Sequence, residues 1–247
     1  MRTLPRWVRV YLDGYDVSHF LSGVGPLVWE YETAPISAWN DNVVGAVLDR
    51  AIVTPTRLEG IFDPGASGLH AIMAAAGSSF VLSVAVGTAA APALGDPVFC
   101  GVFENTSYKA DPSPGMLAAP ADFGGADPAE LTGYESPWGS LLLPKTFVDA
   151  DPYLGGSIDN LAATQAGGFA VVHVFGGTGQ STITVEHSTN GSSWATLLTT
   201  GQVDPDPAPY VLALDPTDEV RRRLRVARFG GGGPTEVTMA VSFVRGR

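Results

Sequence analysis

At 247 residues, with 45% hydrophobic and 16% charged side chains punctuated by 30 Gly and 19 Pro, the chain has core material for one large all-β domain or two ordinary ones. A formal net charge of −11 argues against a nucleic-acid binder that grips phosphates, and the lone Cys100 excludes an intrachain disulfide or a thiolate zinc site, which suits a reducing compartment. No run of about 18 apolar residues occurs, and the N-terminus breaks too early for a signal peptide, so the chain reads as soluble and not exported by itself.

From "WVRVYLDGYDVS" the chain alternates, with Val8, Val10 and Leu12 on one face and Asp13-Gly14 supplying a tight turn. Residues 24–33, "VGPLVWEYET", read as a strand with Trp29 and Tyr31 on one face and Glu30 and Glu32 on the other. "APISAWNDNVVGAVLDR", 34–50, has no clean periodicity and reads as a long loop that carries Ile36, Trp39, Val43, Val44 and Val47. "AIVTPTRLEGIFD" is β-branched enough for a strand, with Pro55 placing its start at an edge or bulge.

The most helix-like stretch follows. Ser67 can cap it, Leu69, Ile72, Met73 and Ala76 recur at i, i+3, i+4 and i+7, and Gly77 is placed to end it. Its narrow, small-residue stripe predicts close packing on a sheet, because "SSFVLSVAVG" resumes strand character at once. Residues 111–130, rich in Pro, Gly, Ala and Asp, read as a surface excursion.

Pro144, Pro152 and Gly155-Gly156 mark a linker, which divides the chain into a first domain at 1–145, a linker at 146–157 and a C-terminal β-sandwich at 158–247. Strands at sandwich-like spacing are predicted over 167–177, 181–200, 208–215, 220–230 and 235–246, with Asn190-Gly191 as the tightest hairpin. The acidity belongs to the first part: residues 1–150 hold 7 basic and 16 acidic side chains (net −9), and 151–247 hold 7 and 9 (net −2).

The sequence offers little convergent chemistry. G-x-S-x-G, Walker A, H-E-x-x-H and G-x-G-x-x-G patterns are absent. The four histidines, His19, His70, His173 and His187, are scattered, and no catalytic, cofactor or metal residue is assigned. Asp16, Ser18 and His19 form a superficial triad, yet neighbours in one short segment rarely have triad geometry, and a turn is the better reading. In "RRRLRVAR" the alternation places Arg221, Arg223 and Arg225 on a solvated face with Leu224 and Val226 inward. Trp194, Tyr210 and Phe229 raise a carbohydrate-binding reading, against which stands the tendency of such aromatics to fill sandwich cores.

Two stretches resemble a known family. The order of "PISAWND", "LEGIFDPGASGLHAIMAAAG" and "FVLSVAVG" is similar to the major tail (tail tube) proteins of long-tailed bacteriophages, and "GGSIDNLAATQAGGFAVVHVFGGTGQSTITVEHSTNGSSWATL" resembles the extra β-sandwich appended to many of them. The resemblance implies a mainly β fold: a β-sandwich or partly closed barrel flanked by one short helix, then a second, outward-projecting sandwich. It implies a non-enzymatic virion protein, assembled in the host cytoplasm, whose hexameric rings stack into the tube for genome delivery. Tape-measure, tail-terminator and baseplate proteins are its expected partners, with transient passage of DNA, no cofactor and no membrane insertion.

On that reading the apolar loop, Ile36, Trp39, Val43, Val44 and Val47, stacks rings, and Glu30 and Glu32 are candidate lumen acids. An acidic lumen repels phosphate and so does not retain DNA. Another virion structural or decoration protein, or a carbohydrate-binding β-sandwich, is the alternative.

Overall fold

Asp13 and Gly14 both take left-handed backbone, at φ 48° and 81°, as a two-residue turn between right-twisted strands requires. They join β1 (Val8–Leu12) to β2 (Tyr15–Asp16), with Leu12 opposite Tyr15. The computed structural model describes residues 7–27, 29–35, 46–53, 57–65, 68–75, 79–113, 116–126, 137–231 and 235–246. After a 3-10 turn at Ser18–Phe20 come β3 (Leu21–Val24), β4 (Trp29–Pro35), β5 (Ala46–Val53), β6 (Arg57–Ile61), α1 (Leu69–Ala75), β7 (Ser79–Val86), β8 (Pro97–Tyr108), β9 (Asp111–Ser113) and β10 (Met116–Ala126). The second half holds β11 (Trp138–Val148), β12 (Tyr153–Asp159), β13 (Gly168–Thr178), β14 (Ser181–Ser188), β15 (Ala195–Val203), β16 (Ala208–Ala213), β17 (Arg223–Gly230) and β18 (Glu236–Arg245).

The fold is mainly β and antiparallel, with one short α-helix among the described residues. A twelve-stranded sheet runs β16-β13-β18-β11-β8-β10-β6-β3, with β7 and β1 branching from β8. A four-stranded sheet, β12-β17-β14-β15, covers one face of its C-terminal part, and β4 and β5 form a separate hairpin. The antiparallel sheets pack as open sandwiches and do not close into a barrel among the described residues, which is the β-sandwich form of the expected fold.

Strand β11 is the corner. Its Trp138–Ser140 end pairs with β8 of the first module, and Ser140–Val148 pairs with β18 of the C-terminal module. The register shifts at Leu141/Leu143 and at Leu143/Thr146, and such bulges let a strand leave one layer for another. Pro144 sits inside the second shift, where its missing N–H breaks no regular ladder.

The stretch read as linker is therefore largely strand: 146–148 belong to β11 and 153–157 to β12, leaving 149–152 as the connection. The Gly155-Gly156 pair falls at a register shift against β17. The same composition error explains 111–130, where β9 and β10 replace the expected excursion over 111–113 and 116–126. Ala118–Asp122 pair with Ile61–Arg57 of β6, and Ala119 and Ala121 are buried.

Small residues at this place let the helix approach. A Cβ on Gly60 would lie 2.2 Å from Leu69 Cδ2 and 2.6 Å from the Ala119 carbonyl oxygen. Leu69, Ile72 and Met73 enter the first-module core with Leu12, Leu58, Phe80, Phe99 and Phe123, as the helical spacing predicts. Of the expected helix 67–77, residues 69–75 are helical, and Ser67, Ala76 and Gly77 lie outside the described residues.

Three apolar layers result. Even residues of β13 (Ala170, Val172, Val174) face the four-stranded sheet with Ile183, Val185, Leu224 and Val226. Its odd residues Phe169 and Val171 face Ala85, Val98 and Cys100 of β7 and β8. The other face of β7 and β8 covers the helix-bearing core. Strand β13 thus buries both sides, which is why "GFAVVHV" lacks a polar alternation.

Candidate functional site at the module junction

Of the residues predicted for assembly, Glu30, Glu32 and Val47 fall on the separate hairpin. Glu30 lies opposite Ile52 and Val47 opposite Ala34 in the β4–β5 ladder, and Glu32 falls where the register shifts between Tyr31 and Thr33. The loop expected over 34–50 is strand at 34–35 and 46–50, and 36–45 lie outside the described residues. Ile36, Trp39, Val43 and Val44 lie outside the described residues.

A second set of side chains gathers where the two modules meet. Gly14 is 3.3 Å from His173 Nδ1 through its N–H, and His173 Nε2 is 2.9 Å from Ser83 Oγ. Because Nδ1 accepts from the backbone, the ring proton sits on Nε2 and is donated to Ser83. Burial holds the imidazole neutral and pulls its pKa down to about 3. Burial likewise pushes the neighbouring Cys100 thiol up, against a hydrogen bond with Ser83, which favours the uncharged thiol.

At the outer end of the junction Lys145 Nζ bridges to Asp16 Oδ2 at 2.9 Å and stands 4.8 Å over the Phe175 ring. Burial alone would push the Asp16 carboxyl up, but hydrogen bonds from Ser18 and Lys145 outweigh it and the net shift is downward. Burial and the Asp16 charge push the Tyr11 phenol up to about 12. An open cleft of about 440 Å³ lies here, lined by Asp16, His19, Asp63, Lys145, Phe175 and Pro207 among others.

The cleft does not assemble a triad. Ser18 Oγ donates to Asp16 Oδ1 at 2.6 Å and accepts from the Val10 N–H, while the His19 ring lies tilted at 44° to Phe20 with centroids 3.8 Å apart. Ser18 N–H also donates to Asp16 Oδ1, the turn geometry expected from the sequence. His70 Nδ1 lies 3.1 Å from the Tyr108 hydroxyl, and His187 Nδ1 accepts from the Arg221 N–H. Among the described residues no group of three or more His, Cys, Asp or Glu is placed to hold a metal, and no helix is long and apolar enough to cross a membrane.

Much of the arginine run is paired with acids inside the module. Arg222 makes a bidentate pair with Asp159 at 2.5 and 2.6 Å, Arg223 reaches the same carboxylate at 3.1 Å, and Arg225 meets Glu186 at 2.7 Å. The Arg222 hydrogen bonds hold the Asp159 carboxyl down at about 2. Trp194 is half-buried, its ring carries the Arg225 guanidinium at 4.2 Å, and its Nε1–H donates to Gly191. A ring engaged this way is no open sugar platform, and Tyr210 packs against the sandwich core. Of the three aromatics Phe229 alone is substantially exposed.

Arg228 escaped the sequence reading. It lies on the inward register with Leu224 and Val226 and is fully buried, donating to Ser181 Oγ, the Ala150 carbonyl and Thr235 Oγ1. Its parity in "RRRLRVAR" was the available signal.

The described residues thus define a class, a mainly β protein of two fused open sandwiches with one short helix. No protein-family model matches the chain, and no curated protein is similar to it. Among solved structures it is similar to the Dit (gp 19.1) protein of phage SPP1, described as a paradigm of the hub adsorption apparatus in phages infecting Gram-positive hosts, at 10% identity, TM-score 0.35, and coverage of 96% of this chain and 99% of that one. It is also similar to a chain of the phage p2 baseplate, in its activated conformation with Sr, at 9% identity, TM-score 0.39, and coverage of 96% and 98%.

Proposed function

We propose that this chain is a structural protein of a bacteriophage virion that self-associates into rings in the tail. The observation that carries the reading is the β4–β5 hairpin: it pairs with no other strand among the described residues, and the segment it brackets reads "ISAWNDNVVG". A two-stranded hairpin is marginal in water alone, and the apolar residues in the sequence between its strands are an aggregation hazard unless a partner covers them. An assembly arm accounts for both.

On the finer reading the rings stack into the tail tube, with Ile36, Trp39, Val43, Val44 and Val47 between successive rings. Residues 1–145 supply the wall, and residues 158–247 lie outside. Tape-measure, tail-terminator and baseplate proteins are then the neighbours along the tail, and DNA passes without being held.

Electron microscopy of the purified chain, with and without Trp39→Ala, tests this. Tubes of indefinite length support the tail-tube role, and discrete rings that stop growing point to a component at one end of the tail. Trp39→Ala is expected to shorten or abolish tubes while leaving the circular dichroism spectrum unchanged. A wild-type chain that stays monomeric at every concentration, or a variant that assembles normally, speaks against the arm.

A further inference from the structure

Phe229 is 40% exposed on the outer face of the four-stranded sheet, opposite Thr182, and Thr182 in turn stands opposite Gln202. The three side chains form one row across β17, β14 and β15. Ile183 and Val226 enter the core from the alternate positions, which turns this row outward. Phe229 and Gln202 are two strand spacings apart, roughly 10 Å along the backbone, with the small, half-buried Thr182 as the floor between them.

A lone exposed ring is ordinary on a protein surface. The polar side of this row is not. Gln202 Nε2 donates to Gln180 Oε1, and Gln180 Nε2 donates to Asp204 Oδ1 at 3.1 Å, although all three residues are exposed. The Gln180 carbonyl also accepts the Gly231 N–H at 2.9 Å, which ties its turn to the end of β17. Exposed glutamines held in this way forgo rotamer freedom, and the relay still leaves a second N–H on each amide, the Gln202 carbonyl and an Asp204 oxygen uncommitted.

We propose that this row is a saccharide-binding subsite, in which the C–H face of a pyranose ring stacks on Phe229 and its hydroxyls bond the Gln202–Gln180–Asp204 relay. The chemistry matches both halves of a sugar. Its C–H groups suit the negative face of an aromatic ring, and each hydroxyl both donates and accepts, as amide and carboxylate groups together require. The neighbouring charges select a neutral sugar. Asp151, Asp204 and Glu236 lie at this end of the module, Arg228 is turned into the core, and Arg223 and Arg225 of the outer face are paired with Asp159 and Glu186. An anionic glycan is repelled there. An open subsite with one ring binds in the millimolar range, at about 1 mM, and copies repeated in an assembly add avidity. The subsite belongs to a single copy and does not depend on the self-assembly reading.

Saturation-transfer difference NMR on the full chain detects binding this weak. Cellohexaose, maltohexaose, mannohexaose and chitohexaose serve as neutral probes and a galacturonate hexamer as the anionic one. At least one neutral hexaose is expected to bind, and the galacturonate hexamer is not. Phe229→Leu keeps an apolar side chain but removes the ring, and Gln202→Ala breaks the relay, so each is expected to weaken binding about tenfold or more. Phe229→Tyr keeps the ring and is expected to keep the binding. Phe147→Leu removes a ring that is 58% exposed elsewhere and is expected to change nothing. Melting temperatures equal to wild type across the set separate a lost contact from a lost fold. Failure of all the neutral probes, binding that survives Phe229→Leu, or equal binding of the anionic hexamer overturns the subsite, and none of these results touches self-assembly.

Discussion

His173 on β13 and Ser83 on β7, ninety positions apart in sequence, meet at 2.9 Å in a fully buried contact between the two modules. The neutral ring is required, because Nδ1 accepts the Gly14 N–H and a second ring proton would face that donor. The folded pKa, about 3, lies below the ordinary value near 6.5. The unfolded chain therefore binds the proton first, and stability falls as pH drops from about 6.5 toward about 3, with a slope of up to about 1.4 kcal/mol per pH unit from this group. Below that range the group adds no further change. Thermal melts of wild type and His173→Gln between pH 7 and 3 check this: the variant is expected to show a shallower decline over pH 6.5 to 4 than wild type, keeping the share of His187, whose pKa burial also lowers. Parallel curves would show that the ring does not control the junction.

Gly14 carries a second constraint on the same contact. Its φ of 81° disfavours any side chain, and a Cβ there would lie 2.4 Å from the Ala208 nitrogen and 2.7 Å from the Val174 carbonyl oxygen, both in the C-terminal module. Gly201 is the control, with φ 68° and nothing within 4 Å of its added Cβ. Urea unfolding is expected to show Gly201→Ala costing about 1 kcal/mol for backbone conformation alone, and Gly14→Ala costing roughly 1–3 kcal/mol more as the modules are forced apart. Equal costs would mean that the junction yields without penalty.

Local chemistry was legible and long-range bending was not. Asp13-Gly14, the Leu69/Ile72/Met73 helix face and the inward parity of Leu224 and Val226 all follow from period and turn residues, which act within a few positions. Pro144 and Gly155-Gly156 misled because a bulge and a linker use the same residues, and only pairing with β18 and β17 tells them apart. Asn190-Gly191 misled in a milder way. Gly191 does take φ 80°, but Asn190 Oδ1 accepts from the Ser192 and Ser193 N–H groups and the turn opens into a loop over 189–194. The Asp16–Lys145 bridge joins positions 129 apart, and no spacing rule in one sequence connects them.

Sharing of β11 sets an expectation for truncation. Residues 1–145 alone would lose the end of β11 from Thr146 onward and the β18 partner of Ser140–Leu143, and would uncover Ala85, Val98, Cys100 and Leu141, now packed under Phe169, Val171 and Val244. A linker would release a soluble first domain. A shared strand and a stripped apolar face are expected instead to give a chain that aggregates and binds a hydrophobic dye. Size exclusion with dye fluorescence separates the outcomes, and a monodisperse fragment with low dye binding would show that the first module closes by itself.

Glu30 and Glu32 stand two positions apart on β4, on the hairpin proposed as the assembly arm. In a ring each copy repeats the same charges around the axis, so if this strand borders the channel the two positions build a negative collar. DNA then passes because phosphates find no cation whose pairing would release condensed counterions. Reversing both to Lys turns the collar into a binding ring, since every added phosphate contact contributes to affinity and steepens its loss with salt. Assembled Glu30→Lys/Glu32→Lys particles are expected to retain double-stranded DNA at low salt and to release it on moving to about 0.5 M salt, where the screening length falls to a few ångströms. Wild-type particles should retain none at either salt. Cosedimentation with radiolabelled DNA reads this directly, and salt-independent binding, or none, would put the two carboxylates elsewhere on the particle.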